Sequence, residues 1–126
     1  MSDPRLRSFE RQNYLNLQTF RRNGVGVPTP VWFTQRQDAL YVRTIDGSGK
    51  VKRIRNNGRV QVAPCDSRGG LLGEWLDAHA CLVTDQETIA EVDQLLDQKY
   101  GVQRTMFNLL GRLRKDKGAT IAIELS

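Results

Sequence analysis

Histidine and paired cysteine are nearly missing from this sequence. His79 is the only histidine, and Cys65 and Cys81 have neither CxxC spacing nor a histidine cluster beside them. A zinc site needs grouped Cys and His ligands, so none is expected, and reduced thiols are the default. Ser-His-Asp or Cys-His catalysis would have to run through His79 alone. No apolar run approaches the roughly 20 residues of a spanning helix. The opening MSDPRLRSFERQN is too polar for a secretory core, so a cytoplasmic protein is expected, with no membrane partner. No internal repeat or low-complexity tract is present. Between Thr44 and Gly73 there is no aromatic residue. Single-strand nucleic-acid binders interleave aromatics with basic groups so that bases stack, which makes nucleic acid a poor candidate partner.

The 126 residues suit one domain, 1–126, with 1–13 as an N-terminal arm. With 39% hydrophobic and 26% charged residues, the composition is that of a globular chain. The net charge of +5 favours anionic partners without choosing among nucleic acid, phosphorylated cofactors and acidic metabolites.

Much of that charge sits in Thr44 to Arg59, TIDGSGKVKRIRNNGR. A glycine-rich turn leads into a predicted helix carrying Lys50, Lys52, Arg53 and Arg55, with Arg59 beyond and no acid among them. Free amides at a helix start, the helix dipole and cationic heads all suit a phosphate. The competing reading is a solvated basic helix after an ordinary turn. Val51 and Ile54, three apart, should face the core, and Asn57-Gly58 should end the helix in a left-handed cap. The GSGK is not a Walker A motif, because the first glycine is missing and valine follows the lysine.

Elsewhere the periodicity is that of strands. Tyr14 to Phe20 alternates and ends at the Asn23-Gly24 turn signal. Val25 to Gln35 reads as a second strand, with Pro28 and Pro30 marking an edge, a bulge or a backbone that faces something other than a strand. After a polar turn over Gln35 to Asp38 come strands at Leu40 to Ile45 and Val60 to Cys65. Glu74 to Val83 is expected to turn Leu76, Ala78, Ala80 and Leu82 to the core. His79 and Cys81 then look outward, to solvent or a partner subunit. Thr84 with Glu87 forms a capping-box pattern ahead of a helix with the stripe Ile89, Val92, Leu95, Leu96, closing near Gly101. A second helix is expected around Met106, Phe107, Leu109, Leu110 and Leu113, and Ala119 to Leu125 makes the last strand. The sum is a mainly β (α+β) fold, a six-stranded antiparallel split barrel with flanking helices.

The order YLNLQTFRRNG, TPVWF, LYVRT, SGKVKRIRNN, RVQVAPCD resembles the split β-barrel flavoproteins related to pyridoxamine 5′-phosphate oxidase. It is most similar to their small deazaflavin (coenzyme F-420) dependent oxidoreductase branch, from about Tyr14 to the last strand. The resemblance implies a homodimer that holds the cofactor ring between subunits. Thr29, Pro30, Val31, Trp32 and Phe33 would line the ring, and Thr44, Ser48, Lys50, Val51 and Arg55 would hold its ribityl and phosphate portion. The implied activity is hydride transfer to a small organic substrate, so no catalytic side chain and no metal ligand is expected. Lys52, Arg53 and Arg59 are implied partners of the anionic oligoglutamate tail. Flavin mononucleotide, FMN, is the alternative cofactor. FMN oxidases of the wider family usually carry an arginine where this chain has Gly49, and a basic substrate-binding segment past the last strand, whereas this chain stops at Ser126. A non-catalytic binder of a tetrapyrrole, or of nucleic acid, is the remaining alternative.

Overall fold

The structure, a computed structural model, describes residues 3–101, 103 and 118–126. The helix expected around Met106 to Leu113 falls outside them. A 3-10 helix, Pro4–Phe9, opens the chain. Strands β1 (Tyr14–Phe20), β2 (Gly26–Val31), β3 (Thr34–Arg36) and β4 (Ala39–Ile45) follow. Then come helix α1 (Gly49–Asn56), β5 (Arg59–Cys65), β6 (Leu76–Leu82), helix α2 (Gln86–Tyr100) and β7 (Gly118–Leu125).

The seven strands of the described residues form one antiparallel sheet in the order β2-β1-β5-β6-β7-β4-β3. The count corrects the expected six, because the single run Val25 to Gln35 is two strands. β2 pairs with β1 through Val31, β3 pairs with β4 from Thr34, and only Trp32 and Phe33 separate them. Yet β2 and β3 are the two opposite edges of the sheet. Three residue steps span at most roughly 11 Å of extended chain, so the edges must meet at Trp32-Phe33 and the sheet must curl. The prolines fit this plan: Pro28 and Pro30 lie on an edge strand, opposite Gln18 and Asn16, where a missing donor is tolerated.

The curled sheet has two apolar layers. Inside, Leu15, Leu17, Leu40, Val42, Val60, Val62, Ile121 and Ile123 are closed over by Val51 and Ile54 of α1 and by Leu6 and Phe9 of the N-terminal helix. The weakly patterned arm thus supplies core, and Phe9 meets Phe33 edge-on with centroids 6.0 Å apart. Outside, Val92, Leu96 and Tyr100 of α2 cover Ala39 and Tyr41, with Trp32, Val83 and Ala122 at the margin. β6 alternates as expected, with Ala78 and Ala80 buried and Asp77, His79 and Cys81 exposed.

Three local expectations are corrected. The polar turn shrinks to Gln37-Asp38, with Gln37 at φ 56°, because Gln35 and Arg36 pair with Leu40 and Ala39. Asn57 ends α1 in an extended conformation (φ −152°, ψ 109°), not a left-handed one. Gly58 is required for space: a Cβ there would lie 2.5 Å from His79 Cε1 and 2.8 Å from the Ala80 carbonyl oxygen. At α2 the cap is Asp85, whose carboxylate accepts the Glu87 and Thr88 amides, so the capping residue is one later than Thr84. Its charge also suits the dipole better than a hydroxyl does.

Candidate functional site

Helix α1 starts after the glycine-rich turn and buries the stripe expected of it, and its charges are distributed unevenly. Ser48 caps it, with Oγ accepting the Val51 amide at 3.4 Å, and Val51 and Ile54 are buried. Thr44, partly buried on β4, stands in register with Ala119 at the strand end that feeds the turn. Lys50 is partly buried, and burial, followed by the neighbouring Arg53 charge, lowers its pKa. No carboxylate pairs with Lys50 among the described residues. Arg55 differs: it reaches back across the turn to Asp46 at 3.3 Å, an exposed ion pair of little energetic weight.

A cleft of about 470 Å³ lies on another face of α1, between Gly49, Lys52, Arg53 and Asn56 and the β1–β2 hairpin residues Phe20, Arg21 and Arg22. Among the described residues, four cations and no carboxylate line it. Arg53 is preset, since its Nε donates to the buried Thr19 Oγ1 at 2.6 Å. Its guanidinium occupies the space a Cβ at position 49 would need, at 2.8 Å. Arg59 lies over the Phe20 ring at 5.4 Å. Arg21 and Arg22 escaped the sequence reading because they belong to a hairpin; their pairing ahead of Asn23-Gly24 was the available signal.

The TPVWF residues lie elsewhere. Thr29, Pro30 and Val31 are on β2, partly buried. Trp32 stacks on Tyr100, with centroids 4.6 Å apart and planes 9° from parallel. The Tyr100 hydroxyl accepts the Phe33 amide at 2.9 Å and lies within donating distance of the Asn13 and Phe33 carbonyls, at 2.9 and 3.0 Å. Lys99 Nζ also donates to the Phe33 carbonyl at 3.0 Å and sits 3.5 Å above the Phe33 ring. Burial pushes the Lys99 ammonium down to about 8 and the Tyr100 phenol up to about 12.

The candidate residues therefore form two groups. Those of α1 lie near the tip of the β1–β2 hairpin, whereas Val31 is five residues from Gly26 at the far end of β2, roughly 17 Å at about 3.4 Å per residue. Of the candidate residues, the cleft is lined by Lys52 and Arg53, expected at an anionic tail, and by none of those expected at the ring or the phosphate. The Phe33 and Val51 side chains belong to the core, at 2% and 0% exposure, so contact with a ligand there would have to come from backbone. For Phe33 even that is engaged. No group of His, Cys, Asp and Glu among the described residues could hold a metal. No helix among them is long and apolar enough to cross a membrane.

No protein-family model and no curated protein matches the chain. Solved structures do. HutZ, a heme storage protein from Vibrio cholerae, superposes with TM-score 0.73 at 16% identity, covering 98% of this chain and 89% of its own. A proposed pyridoxamine 5′-phosphate oxidase from Listeria innocua gives 0.69 at 15%, covering 96% and 90%. An F420 reductase gives 0.61 at 16%, covering 96% and 92%. Together with the curled sheet closed at Trp32-Phe33, these likenesses give the chain the split-barrel fold of the pyridoxamine 5′-phosphate oxidase-like proteins.

Proposed function

We propose that this chain is an oxidoreductase that binds the deazaflavin coenzyme F-420 at a homodimer interface and acts on a small organic substrate. When bound, the ring supplies hydride transfer, and the protein supplies orientation and electrostatics. The observation that carries the reading is Lys50. Its ammonium is partly desolvated, next to Arg53, and has no counter-charge among the described residues. A phosphate there reverses both unfavourable effects. The first-turn amides of Gly49 and Lys50 have no intrahelical acceptor, and Ser48 already satisfies that of Val51. Thr44 and Ser48 flank the turn, and Arg55, tied weakly to Asp46, is free to exchange that carboxylate for phosphate.

The separation of the α1 group from Thr29–Phe33 supports a site shared between subunits, where one chain's cradle faces its partner's β2. The basic cleft favours F-420 over FMN, because Arg21, Arg22, Lys52 and Arg53 offer an oligocarboxylate tail a charged channel that FMN would leave unused. FMN remains the second reading, since Lys50 serves either phosphate. Fluorescence titration of the purified protein with each cofactor separates the two. Saturable binding of F-420 with weaker FMN binding is expected, and no response to either far above micromolar concentration would overturn both.

A further inference from the structure

Asn16 is 5% exposed and lies on β1 between Leu15 and Leu17, which face the inner core, so its side chain is on the opposite face. Nδ2 donates to the Gly69 carbonyl at 3.1 Å, whereas Oδ1 is buried with no partner among the described residues. The neighbours explain the vacancy of donors. Across the ladder stand Pro30, which has no N–H, and Ala63, whose side chain offers nothing. Gly69, which lies against both the Asn16 amide and the Pro30 ring, adds no side chain. A buried acceptor without a donor is uncommon and opposes folding, and an apolar residue would suit this position better in the free chain.

What covers Asn16 is tied chiefly to itself. In the loop 66–73 the Asp66 carboxylate accepts the amides of Arg68 and Gly70 at 2.9 and 2.8 Å, and Leu72 N–H returns to the Pro64 carbonyl at the loop base. Among the described hydrogen bonds, its tie to β1 is Asn16 Nδ2 to Gly69 alone. If the loop lifts, a donor and an acceptor are presented side by side, next to Pro30. That pair is complementary to an imide edge, an N–H flanked by a carbonyl.

We propose that Asn16 is a ring-binding residue whose carboxamide, released from Gly69, pairs with the imide edge of a pyrimidinedione ring lying against Pro30. The proposal rests on the reading of Thr29–Trp32 as the ring lining. It is tested with coenzyme F-420, or FMN if that is the cofactor that binds, and the same cofactor methylated at the imide nitrogen, N3. The wild-type chain is expected to favour the unmethylated ring by about tenfold, the worth of one hydrogen bond. Asn16→Leu should bind both rings equally, at the weaker affinity. Asn16→Ser, which cannot present donor and acceptor side by side, should do the same and serves if Asn16→Leu does not fold. Tight binding of both rings by wild type would overturn the proposal, assign Oδ1 to an ordered water, and leave the cofactor reading standing. Binding of neither ring would overturn both.

Discussion

The Tyr100 hydroxyl accepts the Phe33 amide at 2.9 Å, and its one proton lies between the Asn13 and Phe33 carbonyl oxygens, at 2.9 and 3.0 Å, so the phenol ties the residue where the sheet edges meet. Tyr100→Phe keeps the stack on Trp32 and leaves a buried N–H without an acceptor. A loss of about 1–3 kcal/mol in urea denaturation is expected. A loss below about 0.5 kcal/mol would mean that the corner does not depend on the hydroxyl.

Lys99 gives a pH dependence of definite sign. Its folded pKa of about 8 lies below the ordinary 10.5, so between those values the unfolded chain holds more protons and stability rises with pH. Below pH 8 the desolvation cost is fully present, opposed by the attraction of the ammonium to the Phe33 ring. Relative to Lys99→Met, wild type should gain stability from pH 8 to 10.5 in denaturant titrations. Parallel pH profiles for the two proteins would show that the amine titrates as it does in water.

The capping of α2 separates two neighbouring residues. Asp85→Ala removes the acceptor of the Glu87 and Thr88 amides and should cost about 1 kcal/mol, whereas Thr84→Ala should cost only a few tenths. The reverse order in thermal melts would restore Thr84 as the cap.

At Gly58 the obstacle to a side chain is partly backbone. Gly58→Ala should destabilise by about 1–3 kcal/mol, as overpacking does. Adding His79→Ala should recover only part of it, because the Ala80 carbonyl remains 2.8 Å from the new methyl. Full recovery in the double variant would place the whole clash on the imidazole.

How far the chain could be read follows from the range of each interaction. Strand alternation, the prolines of an edge strand and the Val51–Ile54 stripe are local, and the structure has them. The likeness of motif order pointed to the split barrel. The break after Val31 was hidden because Trp32 and Phe33 continue an apolar run, and the hydroxyl that accepts the Phe33 amide at the bend belongs to Tyr100, sixty-seven positions away. Asn57-Gly58 looked like a left-handed cap because both residues tolerate one, while the actual demand came from His79 and Ala80 on another strand. Lys50 was legible as a cation, but its partial burial without a carboxylate partner among the described residues was not. The Arg21–Arg53 cleft needed the hairpin and α1 placed side by side.

The proposed phosphate cradle at the start of α1 turns on Lys50. The most direct measurement is the affinity of Lys50→Ala for coenzyme F-420, beside its thermal stability. A half-buried ammonium with no counter-charge among the described residues contributes little to folding, so the melting temperature should hold or rise. Cofactor binding should weaken by about 1.5–3 kcal/mol, the worth of a charge-assisted hydrogen bond. Unchanged affinity in a folded variant would contradict the account and put the phosphate elsewhere.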